Sequence, residues 1–282
     1  MLCLHNPSST PNLAEVQKSS YPLHLAFLLT LTLLIAVLAS NTCRAQVTSA
    51  KIQFRVLVLA ENGGHHLAYS KAAHPFLDSL ALRKNFAIDY IDNTKSIDKA
   101  FLDRYRLFIQ LDYPPYAWGD PAMEAFIGFM NDPQRGWIGF HHATLLGTFD
   151  GYPLWDWFSS FMGGIQYKNY IGTFANGKIN VDDPQHPVMR GVPRSFVIEK
   201  EEWYIYDKSP RPNVHVIASV DESSYQPQSE IKMGDHPVVW TNTRMPARNL
   251  YMFMGHGPWL FKNAAYRQIF ANAIDWAAGT GK

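Results

Sequence analysis

Three stretches of this chain run an apolar segment straight into histidine. Trp137-Ile138-Gly139-Phe140 stops at His141-His142, and Phe54 to Ala60 leads into Glu61-Asn62-Gly63-Gly64-His65-His66. Leu250 to Met254 runs into Gly255-His256-Gly257. Short apolar runs of this kind read as strands of a parallel sheet with both faces covered. Ligands of such sheets bind beyond the carboxyl ends of the strands. Neutral imidazoles with a carboxylate suit zinc or a similar divalent ion. Without a metal, a histidine–carboxylate pair can act as general acid and base near neutral pH. One buried histidine is ordinarily explained by one satisfied hydrogen bond. Three at successive strand ends point instead to a shared site, with Glu61, His65 or His66, His141 and His256 as its candidates.

The surrounding pattern supplies the elements that would position these groups. Phe54–Ala60, Phe86–Ile91, Arg106–Leu111 and Gly136–Phe140 read as strands. A helix with Ala68, Ala72, Phe76 and Leu80 at four-residue spacing follows the first, and a second helix is expected to be capped by Asp120 with Pro121 at its first position. In the second half Thr173–Val181, Val214–Val220, Pro237–Thr241 and Leu250–Met254 look like strands, and Ala264–Ala277 like a closing helix. Strands alternating with helices predict an α/β fold, a doubly wound and mainly parallel sheet of flavodoxin-like type with helices on both faces. On an extended backbone His142 should point away from His141, or it holds the turn by a hydrogen bond. His186 and His236, each before a proline, read as loop-fixing residues and His74 as packing.

Ahead of this domain, Leu25 to Ala39 is apolar and uncharged, with Lys18 before it and Cys43-Arg44-Ala45 after it. That is the pattern of a secretory signal over residues 1–45, too short at its apolar core for the ~20 residues of a membrane span. The expected location is the periplasm or the extracellular space, with no stable membrane anchor after cleavage. Both cysteines, Cys3 and Cys43, fall in this leader, so the exported chain would have no disulfide, thiolate ligand or cysteine nucleophile. Removing Lys18, Arg44 and Glu15 leaves 23 basic and 23 acidic residues. With no basic block, nucleic acid is not an expected partner. All eight tryptophans lie beyond the leader. Core packing accounts for most tryptophans, but Trp155, Trp157, Trp203 and Trp259 could also offer stacking faces to a sugar ring.

From about Lys51 to Gly279 the chain resembles the trehalose-utilisation (ThuA-like) family, placing the domain at residues 50–280. The matching pieces are Trp137 to Thr144, the aromatic segment through Gly163-Gly164, and Asp182-Asp183-Pro184-Gln185-His186-Pro187-Val188. Glu201-Glu202-Trp203-Tyr204, Pro237 to Trp240 and Tyr251 to His256 follow in order. The resemblance implies the class I glutamine-amidotransferase-like fold, with His141 at the turn where amidotransferases carry their cysteine. Thiol-dependent glutaminase chemistry is therefore excluded by residue type. It also implies a site of Glu61, His65 or His66, His141, Glu202 and His256, with His141, Glu202 and His256 catalytic. Glu61, His65, His66, His141 and His256 are the candidate ligands of zinc or another divalent metal. Where family members carry a further histidine after the paired glycine, this chain reads Ile165 to Tyr170, so Lys168 or Asn169 is expected to face the pocket. Trp155, Trp203, Lys168 and Trp259 make up the expected substrate surface. The implied function is hydrolytic or eliminative processing of a sugar or glycoside. A non-catalytic carbohydrate-binding or accessory protein is the alternative, and self-association is left open.

Overall fold

β1 (Arg55–Ala60) is buried at every position after Arg55, as a strand covered on both faces must be. In the computed structural model, which describes residues 51–61 and 63–281, it pairs in parallel with β2 (Ala87–Ile91) and β3 (Leu107–Asp112). Parallel pairing continues from β3 to β4 (Gly136–Phe140) and from β4 to β11 (Arg248–Met252). Beyond β11 the sheet turns antiparallel through β10 (Pro237–Thr241), β9 (His215–Gln226), β6 (Ala175–Val181) and β7 (Ser195–Glu201). The nine-stranded order is β2-β1-β3-β4-β11-β10-β9-β6-β7. A separate ribbon pairs β5 (Tyr167–Tyr170) with β8 (Tyr204–Tyr206). The expected signal segment, residues 1–45, lies outside the described residues.

Alternation along β4 shows how the sheet is covered. Phe140 faces one layer, where its ring lies 4.6 Å from Phe270 of α5 (Ala264–Ala277). α5 is tied to α1 (Leu67–Lys84) by a 2.6 Å hydrogen bond between Tyr266 and Tyr69 hydroxyls. Trp137, three residues earlier, faces the other layer. Its ring is 6.2 Å from Phe126 of α3 (Asp120–Met130) and 5.1 Å from Phe161 of α4 (Asp156–Phe161). A short α2 (Lys99–Leu102) starts where the Asp98 carboxylate accepts the Phe101 amide at 2.7 Å. Each large apolar side chain fully buried in these layers contributes about 1.5–3 kcal/mol.

The doubly wound, mainly parallel architecture matches expectation, and three local expectations do not. The buried stripe of α1 is Tyr69, Ala73, Leu77 and Leu80, while Ala68 is exposed. Shifting a four-residue repeat by one leaves the spacing intact, and the Tyr69–Tyr266 contact chooses the stripe. Gly119, not Asp120, stands at the amino cap of α3, with no side-chain cap bond. β5, β7 and β8 were not expected: β7 is exposed at most positions and the other two are very short, so none carries an apolar run.

Candidate functional site

Because β1, β3, β4 and β11 are parallel, their carboxyl ends share one edge of the sheet. In register, Ala60 stands beside Asp112 and Phe140 beside Met252. The residues that follow therefore converge although they are up to two hundred positions apart in sequence. Glu61 leaves β1, and a 3-10 turn over Gly64–His66 turns the His66 ring inward, 2 % exposed, at the start of α1. Asp112 closes β3 and is fully buried.

β4 ends in a sharp turn at His141, whose φ of 32° is a conformation few residues other than glycine adopt. Three bonds hold it there. The Thr144 and Tyr251 hydroxyls donate to the His141 carbonyl at 3.0 and 3.1 Å, and the ring Nδ1 is 3.2 Å from the Phe253 carbonyl. The segment after β11 passes so close that a Cβ on Gly255 would lie 2.7 Å from that of His141, so glycine is required there by space. Fully buried Glu201 anchors the same segment by accepting the backbone amides of Glu202 at 3.1 Å and Gly255 at 3.3 Å. Burial pushes the Glu201 carboxyl up to about 8.

Glu202, between β7 and β8, completes the first group. Its Oε2 lies 3.3 Å from His141 Nε2 and 3.2 Å from His256 Nδ1, and His256 Nδ1 shares a 2.8 Å hydrogen bond with His66 Nε2. The Phe253 carbonyl can only accept, so the His141 proton is assigned to Nδ1. Burial holds this imidazole down to about 3 and hence neutral at pH 7. Its Nε2 faces Glu202 Oε2, whose carboxyl burial pushes up and the His141 and His256 contacts pull below the usual range. Two electron pairs opposed at this distance call for a proton or a cation between them. An ion bonded at about 2.0–2.1 Å to four tetrahedral donors sets those donors roughly 3.3 Å apart. His66, His141, Glu202 and His256 are donors of the right type, and one atom from each lies within 4.8 Å of the others.

The opposite nitrogen of His66 belongs to a second group. His66 Nδ1 lies 3.4 Å from Asp112 Oδ2 and 3.8 Å from Glu61 Oε2, and His142 Nδ1 lies 3.0 Å from Glu61 Oε2 and 3.3 Å from Asp112 Oδ1. Burial lowers His66 to about 4. It also raises Asp112 well above the carboxylate range, with the charge of Glu61 adding to the effect. Glu61 itself, despite burial, is held down to about 2 by His142 and His66.

Of the residues singled out from the sequence, Glu61, His66, His141, Glu202 and His256 meet, and His65 does not. Its ring is exposed, with its centre 6.5 Å from that of His66. His142 corrects the extended-backbone expectation, because the 3-10 turn over His141–Thr144 brings it back over β3. Trp203 is no stacking face for a sugar. It is fully buried between Tyr225 and Phe253, and its indole donates to the Ala175 carbonyl at 2.8 Å. Trp155 packs against Trp118, Phe126 and Phe158 in the α3–α4 layer, away from the histidines. Lys168 is exposed on β5, where its neighbour Tyr167 makes the inward contact. Trp259 keeps a place at the rim through Phe174, whose ring is 4.4 Å from His256.

The aromatic surface of the site is made of residues the sequence did not mark. Tyr204 lies 4.3 Å from His141 and 5.2 Å from Tyr167, and Phe149, Tyr116 and Tyr152 continue the row outward, ring to ring. Tyr167 is pushed up to about 12 by burial and by the Glu202 charge, which places it beside the first group. Asp112 could have been found by the reasoning that found Glu61, since it too ends an apolar strand. Glu201 and the tyrosines carried no such signal. His236 is explained locally, by the Glu222 carboxylate at 3.0 Å. His74 stacks on Tyr90 as packing.

A family model described as ThuA, trehalose utilisation, matches residues 55–277. Among solved structures, a protein described as ThuA-like from Bacteroides uniformis is similar at 27% identity and a TM-score of 0.73, over 83% of this chain and 94% of its own. Another described as ThuA-like, from Parabacteroides merdae, is similar at 16% identity and a TM-score of 0.56, over 80% and 90%. A GMP synthase protein from Thermoplasma acidophilum is similar at 13% identity and a TM-score of 0.47, over 80% and 95%. No curated protein sequence is significantly similar to this chain. The family model runs from the first residue of β1 to the last of α5 and contains both groups of histidines, and this chain belongs to the ThuA family of trehalose utilisation.

Proposed function

We propose that this chain is an exported carbohydrate-processing enzyme of hydrolase or lyase type, acting on a sugar or glycoside at the His141–Glu202–His256 centre. The observation that carries the reading is the convergence of His141 Nε2 and His256 Nδ1 on one oxygen, Glu202 Oε2, at 3.3 and 3.2 Å in a buried place. A structural ion pair would put a proton there, and burial disfavours that proton on His141. A divalent ion held by His66, His141, Glu202 and His256 would polarise a hydroxyl or carbonyl, or lower the pKa of a bound water.

The chain's own residues divide the remaining work. His141 is too deeply buried to carry protons and serves to hold. His256, 8 % exposed and next to the exposed ring of Phe174, is the imidazole placed to exchange a proton with substrate. Glu202 orients it through the 3.2 Å contact with Nδ1. Tyr167, Phe149 and Tyr116, each partly exposed, offer the apolar faces on which a sugar ring stacks, and Phe174 with Trp259 offers a second one. Export and loss of residues 1–45 belong to the same reading. Amino-terminal sequencing of the protein from the periplasm or medium should begin at Gln46, and recovery of the intact leader there would refute the cleavage.

The test of function is product analysis over a panel of disaccharides and glycosides, with calorimetry alongside. His256→Ala and Glu202→Gln should each lower turnover on the order of 10²–10⁴-fold while the melting temperature stays within a few degrees. Full turnover in both variants would remove the centre from the mechanism. Ligand affinity without product in the wild type would make the protein a carbohydrate binder.

A further inference from the structure

The centre just described leaves one side of His66 unused. Glu61 Oε2, His66 Nδ1, Asp112 Oδ1 and Oδ2, and His142 Nδ1 are all buried, and none has a hydrogen-bond partner. They nevertheless crowd together at 3.0, 3.3, 3.4 and 3.8 Å. Buried polar groups in folded proteins are ordinarily satisfied, and a cluster of orphans calls for a water or an ion. Asp112 makes the stronger demand. It is fully buried, its oxygens face two imidazoles, and the charges acting on it are the carboxylates Glu61, Glu201 and Glu202, with no lysine or arginine among them. A single water could bond some of these atoms, whereas an ion takes one donor from each of the four residues at once. One donor atom from each of Glu61, His66, Asp112 and His142 lies within 4.8 Å of the others, close enough for one ion to bind all four.

We propose that Glu61, Asp112, His142 and Nδ1 of His66 hold a second divalent cation, so that the His66 imidazole is shared between this ion and the Glu202 centre. The sharing rests on the metal reading of that centre; the second site by itself does not. Two imidazole nitrogens with two carboxylates suit zinc and its neighbours rather than calcium or magnesium, which prefer all-oxygen shells. With both its nitrogens coordinated, His66 gives up its remaining N–H proton to solvent, and Asp112 is deprotonated by the ion it binds.

Zinc content settles the matter without an assay of turnover. Metal-free protein is equilibrated with zinc, dialysed against a buffered free-zinc solution and analysed for metal per chain. Wild type should retain two equivalents, Asp112→Asn one, and Glu202→Gln one. If wild type retains two and Asp112→Asn also retains two, the second ion sits elsewhere and the proposal fails. If wild type retains one, lost in Glu202→Gln and kept in Asp112→Asn, the first centre stands alone and the proposal again fails. If wild type retains one, lost in Asp112→Asn and kept in Glu202→Gln, the site proposed here exists and the metal reading of the first centre is the one that falls. Should Asp112→Asn not fold, cobalt(II) titration of wild type replaces it. Two successive visible-band transitions support the pair of sites, and a single saturating step at one equivalent overturns it.

Discussion

Residue types named the chemistry before any geometry was known. Imidazoles and carboxylates at strand ends pointed to a shared place on the sheet edge, and no cysteine stands beyond Cys43 to supply a thiol. What residue type could not announce was the conformation at His141. A φ of 32° turns its ring toward Glu202 and sets His142 over Asp112, so one strained residue serves both groups. Strain of this kind persists when neighbours over-determine it. Gly255 is the neighbour that can be tested most directly. In Gly255→Ala the added methyl meets His141 at 2.7 Å and something must move. The expected cost is roughly 1–3 kcal/mol, read as a lower urea midpoint. A variant as stable as wild type would show that His141 is not held by this contact.

At the scale of elements, strand ends and helix seats control the site. The carboxyl ends of β1, β3, β4 and β11 were legible because their apolar runs are continuous. The loop carrying Glu202 was not, because β7 and β8 bear no pattern that separates Glu201 from Glu202. One looks into the core and the other into the cleft only because the chain turns between the two strands. Helix seating can be probed at two glycines with opposite outcomes. A Cβ on Gly136 would lie 2.2 Å from the Ala277 carbonyl oxygen, so β4 and the end of α5 meet backbone to backbone. Gly136→Ala should therefore destabilise by roughly 3 kcal/mol, at the upper end for overpacking. Gly128, within α3, has nothing within 4 Å of the same position. Gly128→Ala should stabilise by about 0.5–1 kcal/mol through helix propensity alone. Chemical denaturation of both variants distinguishes contact from propensity.

Burial holds His66, His141 and His186 neutral, and this shapes the response of the whole molecule to acid. His186, remote from both groups, packs 4.8 Å from Trp276 and accepts the Val188 amide on Nδ1. Burial lowers it to about 4 from an ordinary value of 6.5. Between those values the unfolded chain binds the proton and the folded chain does not, so stability rises with pH across the window and levels off above it. Wild type should lose stability between pH 7 and pH 5. His186→Asn, which keeps an acceptor for Val188, should lose less over the same interval. Equal losses in urea titrations at the two pH values would assign the acid sensitivity to other groups. Among the described residues no helix is long and apolar enough to cross a membrane.

Composition and pattern by themselves determined that the domain is α/β, that its first half is a run of buried parallel strands, and that imidazoles stand where such strands end. These follow from local rules: continuous apolar runs, period and residue chemistry. Only the tertiary structure decided that His66 and not His65 turns inward, that Asp112 and His142 meet at its far nitrogen, and that tyrosines rather than Trp155 and Trp203 stand beside the histidines. It also decided the α1 stripe, where two repeats offset by one residue are indistinguishable until Tyr69 finds Tyr266. The reason is common to all of them. Side-chain direction at a turn, and the choice between equivalent faces, are set by contacts between segments far apart in sequence, and such contacts leave no mark in any short window of it.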